Sequence, residues 1–112
     1  MDAVKEYKIL WDEEALLDLK SIHDYVSKES PEAVAHVIIS IVKRTSLLKT
    51  FPNGLPYEER LKRYGNFRFL MQWKYKIVFE VMEDEVVIDY IFHSAQHPEK
   101  MSTRISSQRK KK

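Results

Sequence analysis

Three side chains in the second half of the chain have the chemistry needed to cleave a phosphodiester. His93 stands at the end of an apolar stretch, Lys76 lies in an earlier one, and Arg68 precedes both. Metal-free RNA cleavage needs a base for the 2′-hydroxyl proton, an acid for the leaving oxygen and cations for the phosphorane. His93 would be the acid or base, and Arg68 and Lys76 would grip the phosphate. Tyr64 or Tyr75 would stack a base. A structural interpretation fits equally well: a histidine that ends a strand and a lysine on a solvated face.

A second candidate is a binding surface, because basic residues are concentrated in two segments. Residues 60–76 contain six Lys or Arg and no acid, and residues 100–112 contain another six without an acid, although the whole chain carries only +2. Segregated positive charge favours an anionic partner. No DNA-reading module is recognisable, so an acidic protein is the stronger interpretation. The candidate contact residues are Arg60, Lys62, Arg63, Tyr64, Lys74, Gln96 and His97.

Composition excludes several other kinds of protein and site. The chain has no cysteine, which excludes a disulfide framework, a thiol nucleophile and a cysteine-based metal site. Its four histidines are scattered and do not favour a zinc site, so we expect no metal and no cofactor. The first residues carry no signal-peptide h-region, and no apolar run approaches the roughly 20 residues that span a bilayer. We therefore expect a cytoplasmic protein without a membrane partner.

The first half of the chain predicts a strand followed by two helices. Residues 7–11 alternate with period two, and Asp12 then fits the N-cap of a helix that ends near Lys28. The Ser-Pro-Glu sequence at 30–32 marks a second start, with Ser as N-cap and Pro as first helical residue. This helix is predicted to extend to about Lys49. The short break between two amphipathic helices predicts a helical hairpin.

The second half changes to a period of two and predicts three strands joined by short turns. Their ranges are 67–73, 75–81 and 86–93. Such strands pair antiparallel, so the predicted fold is α+β in the order β-α-α-β-β-β, a three-stranded antiparallel meander with both helices packed on one face. We expect residues 1–99 to form this single domain. Residues 100–112 show no periodicity and are predicted to be a basic, disordered tail.

This order of elements, together with several short motifs, resembles the RelE/ParE toxin family of bacterial type II toxin–antitoxin systems. The resemblance covers roughly residues 7–100. No single motif is specific, but their order and spacing together are. The motifs are the segments 11–15, 22–25, 30–33, 47–52, 67–68, 75–81 and 86–93, with Pro98 five residues further on.

The resemblance implies a toxin that an antitoxin neutralises by wrapping a segment across its surface, as a toxin–antitoxin hetero-oligomer. ParE-like members of the family block DNA gyrase by binding it. RelE-like members cut messenger RNA on the ribosome without a metal. The well-developed helical hairpin and its Phe51-Pro52 ending look more ParE-like.

The chain departs from the RNA-cleaving pattern of the family at two places. RelE-like toxins usually carry a catalytic arginine after the last strand, but residues 94–98 contain none. Lys76 stands where those members have a central-strand arginine, and lysine lacks the bidentate fork that grips a phosphate. Three hypotheses remain. The residues favour a ParE-like gyrase inhibitor over a RelE-like endoribonuclease and over a catalytically degenerate member that acts only as a binding module.

Overall fold

The computed structural model describes residues 5–94 and 98–109, with the side chains of Pro98 and Arg109 left out. Its strands are β1 (Lys8–Trp11), β2 (Phe67–Gln72), β3 (Tyr75–Val81) and β4 (Glu85–His93). Its α-helices are α1 (Glu13–Glu29), α2 (Val34–Arg44) and α3 (Pro98–Arg109). Short 3-10 helices occupy Thr45–Lys49, Pro52–Gly54 and Glu59–Tyr64. The predicted order of a strand, two helices and three strands is confirmed.

The four strands form one mixed sheet in the order β1-β4-β3-β2. β2, β3 and β4 make the antiparallel meander that the sequence predicts. β1 instead lies parallel to β4, from Lys8 beside Glu85 to Trp11 beside Ile88. A parallel pair needs a long connection between its strands, and the helical hairpin and the first two strands of the meander provide it. The α+β class is confirmed, with a sheet that is mixed rather than purely antiparallel.

The hairpin of α1 and α2 covers one face of the sheet, which we call the first face. Ala15 of α1 and Ile41 of α2 are fully buried there. Asp12 begins α1 as its position predicts, because its carboxylate accepts the N–H of Glu14 at 3.1 Å. The sheet contributes the buried side chains Leu70, Tyr75, Ile77, Phe79, Val86, Ile88 and Ile91.

The second helix begins later than the sequence predicts. Ser30 ends α1 instead of beginning α2, since its N–H donates to the carbonyl of Val26 at 2.7 Å. Its hydroxyl donates to the carboxylate of Glu32 and so does not cap the next helix. The residues after Ser30 form a turn, and α2 begins at Val34 rather than at Pro31. The Ser-Pro pattern is common to caps and turns, and here it makes a turn.

The second face of the sheet is covered by α3 and by the 3-10 helix Glu59–Tyr64. Met101 and Ile105 of α3 are buried, in a core shared with Leu61, Phe67, Val78, Tyr90 and Phe92. The prediction of a disordered tail over 100–112 is therefore wrong as far as Arg109, while residues 110–112 lie outside the described residues. The apolar stripe of α3 is too short to show helical periodicity, because its other residues are mostly polar.

Candidate binding surface

Lys76 lies on the second face, where its ammonium pairs with a buried carboxylate. Its Nζ is 2.5 Å from Oε2 of Glu58, and the two side chains are 18% and 5% exposed. The ammonium also lies 4.3 Å from the centre of the Phe69 ring. Glu58 is fixed by its place before a 3-10 helix, where Oε1 accepts the N–H of Arg60. The charge of Lys76 is thus balanced inside the protein, which weakens it as a phosphate ligand.

Arg68 is also bound to the protein, at the outer edge of β2. Its guanidinium donates to the carbonyl of Leu55 and, at 2.7 Å, to the hydroxyl of Tyr57. The same group lies 3.9 Å from the centre of the Tyr57 ring, within cation–π range. These contacts hold the loop 55–57 against the edge strand, so Arg68 has a structural role in this arrangement.

His93 lies on the first face, opposite Lys76. It pairs with Tyr75 across β3 and β4, and the two rings meet edge to face with centres 5.5 Å apart. Side chains alternate along a strand, so Lys76 and its partner Phe92 point to the other face. The sheet separates His93 from Lys76 and does not assemble the predicted cleavage group.

A groove of about 450 Å³ opens beside His93, between α1 and the later part of β4. β1 pairs with β4 only as far as Ile88. Beyond that point Asp18 of α1 takes the place of a strand neighbour, because its carboxylate accepts the N–H of Ile91 at 2.8 Å. Lys74 from the basic segment lines the same groove. This groove is therefore the place where His93 and a predicted binding residue come together.

The fold divides the basic segment 60–76 between two places. Arg60, Lys62 and Arg63 are exposed on the 3-10 helix before β2. Tyr64 packs its ring against the core of the second face, and the Arg63 guanidinium lies 5.8 Å from the centre of that ring. Lys74 lies past the opposite end of β2. The predicted binding residues thus form separate groups, and two of them, Gln96 and His97, lie outside the described residues.

An ion-pair cluster that sequence reasoning missed joins α1 to α3. Arg104 of α3 lies 2.9 Å from Glu14 and 3.0 Å from Asp18, and its guanidinium lies 4.7 Å from the centre of the Tyr90 ring. Burial raises the pKa of Asp18 above its usual value, while the Ile91 N–H and Arg104 act in the opposite direction. Glu14 and Arg104 are 90 residues apart in the chain, so no local pattern indicates the cluster.

The turn between β2 and β3 contains a second feature that the sequence did not indicate. Trp73, predicted as a strand residue, has a φ of 53°, the one positive φ of a non-glycine residue in ranges 5–94 and 98–109. A left-handed backbone costs an L-residue about 1–2 kcal/mol, and hairpin turns favour Gly or Asn at such positions. The indole is nevertheless 52% exposed. The ring of His36 in α2 lies beside it, with the two ring centres 5.7 Å apart.

In the part of the chain that the structure describes, no three His, Asp or Glu side chains are grouped as metal ligands would be. None of its helices has the length and apolar character needed to cross a bilayer.

Comparisons with known proteins identify both a family and a fold. The family model described as "ParE toxin of type II toxin-antitoxin system, parDE" matches residues 9–98. Among solved structures, a chain from the "Chromosomal ParDE TA system from P. aeruginosa" is similar with a TM-score of 0.66 and 23% identity, over 79% of this chain and 96% of that one. At this identity the likeness shows the fold alone. The comparison with curated proteins gave no significant match.

Proposed function

Since the chain belongs to the ParE toxin family of type II toxin–antitoxin systems, by its match over residues 9–98, we propose that it arrests growth by binding DNA gyrase. In this proposal the toxin cuts no bond and transfers no proton. A cognate antitoxin holds it inactive in a hetero-oligomer. Both interactions take place in the cytoplasm.

One observation carries the choice of binding over RNA cleavage: His93 and Lys76 lie on opposite faces of the sheet. Cleavage without a metal requires the acid or base and the phosphate-binding cation to reach the same phosphate. Lys76 is moreover paired with Glu58, and Arg68 is bound to Leu55 and Tyr57. An inhibitor that works by binding needs none of these groups at a reacting centre.

The antitoxin contact is proposed for the exposed cations of the 3-10 helix before β2. Arg60, Lys62 and Arg63 are exposed there. Tyr64 supplies a partly exposed ring beside them. An acidic antitoxin segment lying on this helix would pair with all three charges. Gln96 and His97 are kept in the proposed contact from their place in the sequence.

RNA cleavage is retained as a second candidate because His93 shares its groove with two cations. Lys74 and Arg104 both line that groove. An imidazole beside two positive charges is a feasible acid–base site, although Arg104 is already paired with Glu14 and Asp18. This version of the chemistry would use Lys74 where the sequence predicted Lys76.

The decisive experiment is induced expression of the chain in cells, followed by two measurements. One maps messenger RNA 5′ ends, and the other measures plasmid supercoiling together with the DNA-damage response. The gyrase proposal predicts growth arrest with altered supercoiling, an induced damage response and no new RNA ends. His93→Ala should leave this arrest unchanged.

The matched control is His23→Ala, which removes an exposed histidine of α1. New RNA ends that disappear with His93→Ala but persist with His23→Ala would replace gyrase binding by RNA cleavage. Expression without any growth arrest would leave only the degenerate binding module among the three hypotheses.

A further inference from the structure

Trp73, in the β2–β3 turn, is energetically unfavourable in two ways. Trp73 has the left-handed φ of 53°, which Gly or Asn would adopt with less strain. Its indole is also 52% exposed, so much of a large apolar ring remains in water. Strained residues in sparsely populated backbone regions concentrate at binding and active sites. We expect the turn to be at least as stable with Gly or Asn at this position, so a contact of the ring outside the chain would explain why Trp stands here.

Two exposed cations lie at or close to the turn that carries Trp73. Lys74 is the other residue of the turn and is exposed. Arg44 of α2 is also exposed, and its Nε donates to the carbonyl of Met71 at 3.1 Å, on the strand that leads to the turn. The whole segment 60–76 contains no acidic residue. A partner that meets this tip therefore gains from negative charge.

Aromatic side chains accompany these cations. His36 lies against the indole, and Tyr25 of α1 is 63% exposed in the groove that Lys74 also lines. Trp, Tyr and Arg are the residue types most enriched among the few that dominate protein–protein affinity. The composition of this tip is that of a protein contact.

We propose that Trp73 is the anchor by which the toxin inserts into an acidic cleft of its target protein. This inference rests on the proposed function and adds the surface that carries it. The shape of the turn distinguishes the target from the antitoxin: a hairpin tip is convex and requires a concave receptor, which a large protein supplies. A short antitoxin segment is itself the convex partner and lies along the grooves and edges of the toxin.

The test compares the full-length chain with Trp73→Gly and Trp73→Asn. Both variants remove the ring and suit a left-handed backbone, so the melting temperature should equal or exceed that of the wild type. Growth arrest should be lost. Binding to purified DNA gyrase should weaken at least about thirtyfold, as truncation of a dominant interface residue does. Binding to the cognate antitoxin should change less than about threefold.

Two further variants control for apolar exposure and for charge. Met82→Ala truncates another large apolar residue of a strand-connecting turn, 46% exposed, and should leave arrest and gyrase binding unchanged. Lys74→Glu should slow association with gyrase about tenfold, by an amount that shrinks as salt is added. An unchanged association rate for Lys74→Glu would overturn the acidic character of the cleft.

Each remaining outcome contradicts either the inference or the proposed function on which it rests. If Trp73→Gly folds and still causes full arrest, the inference is wrong but the proposed function stands. Lost antitoxin binding with arrest retained overturns it as well, because the ring then belongs to the antitoxin contact. If both variants lowered the melting temperature but retained the arrest, the role of Trp73 would be to pack against α2. A wild-type chain that causes no arrest refutes the proposed function itself, and that control is measured first.

Discussion

At the scale of single residues, Lys76 and Glu58 should each depend strongly on the other's charge, because both lie mostly away from water. Removing one partner of a buried pair leaves an uncompensated charge and typically costs about 3–5 kcal/mol. Lys76 retains 18% exposure, so we expect Glu58→Gln to lower the free energy of unfolding by about 2 kcal/mol. Urea denaturation at neutral pH measures this change.

The neighbouring acid provides the control for that prediction. Glu59 is exposed, and Glu59→Gln should change the free energy of unfolding by less than about 0.5 kcal/mol. Combining Glu58→Gln with Lys76→Met removes both charges and should recover much of the loss. If Glu58→Gln and Glu59→Gln changed the free energy of unfolding equally, the loss of one partner of the buried pair would have no measurable cost.

The residues able to do chemistry were recognisable in the sequence, whereas their partners were not. The cations Arg68 and Lys76 lie on the predicted strands, as does His93. Which strand residues share a face depends on register, and a shift of one residue moves every side chain to the other face. No sequence pattern states that Tyr75 stands opposite His93. Whether these residues form a cleavage site therefore could not be predicted without the register of the sheet.

At the scale of elements, the free energy of unfolding should depend on pH through Asp18, the α1 carboxylate that contacts both α3 and β4. Burial raises the pKa of its carboxyl group above the usual 3.8. Between pH 3.8 and the raised pKa, the native state binds more protons than the unfolded chain. The stability contributed by protonated Asp18 is thus complete below pH 3.8 and is lost as the pH rises through the raised pKa.

Asp18→Asn isolates this contribution, because the amide oxygen still accepts the Ile91 N–H but does not titrate. The free energy of unfolding of the wild type, relative to this variant, should fall as the pH rises through the window. Asp24→Asn gives the opposite slope, since contacts with Lys20 and His23 lower the pKa of Asp24. Denaturation curves collected over a pH series measure both slopes. Parallel profiles for the two variants would refute the assignment to Asp18.

Element prediction succeeded where the periodic pattern was long. α1, with its Asp12 cap, and the three strands of the meander lie close to the predicted ranges. It failed where tertiary contacts decide. α3 is stabilised by Met101 and Ile105 against the sheet and by Arg104 against α1, and none of these contacts leaves a local signal. The parallel pairing of β1 with β4 is likewise a long-range contact that alternation alone does not specify.

At the scale of the whole molecule, the two cores share their central strands. Ile77 and Phe79 of β3 face α1 and α2, while Val78 between them faces α3. β4 divides its side chains in the same way. Loss of packing on either face therefore weakens strands that the other face needs. We expect the described domain to unfold in one cooperative transition, with α3 as part of it.

Ile105→Ala tests this coupling, because Ile105 belongs to the core of the second face while the fluorescence reporter, Trp11, lies on the first. Trp11 packs against the first core, and in a Trp73→Asn background it is the one remaining tryptophan of the two in the chain. Ile105 is fully buried on the second face, so its truncation should cost about 2–4 kcal/mol. The unfolding midpoints from Trp11 fluorescence and from far-UV circular dichroism should shift together, while the exposed Ser107→Ala should shift neither. A shift confined to circular dichroism would mean that α3 melts from the sheet as a separate unit, because Trp11 would then still report an intact first core.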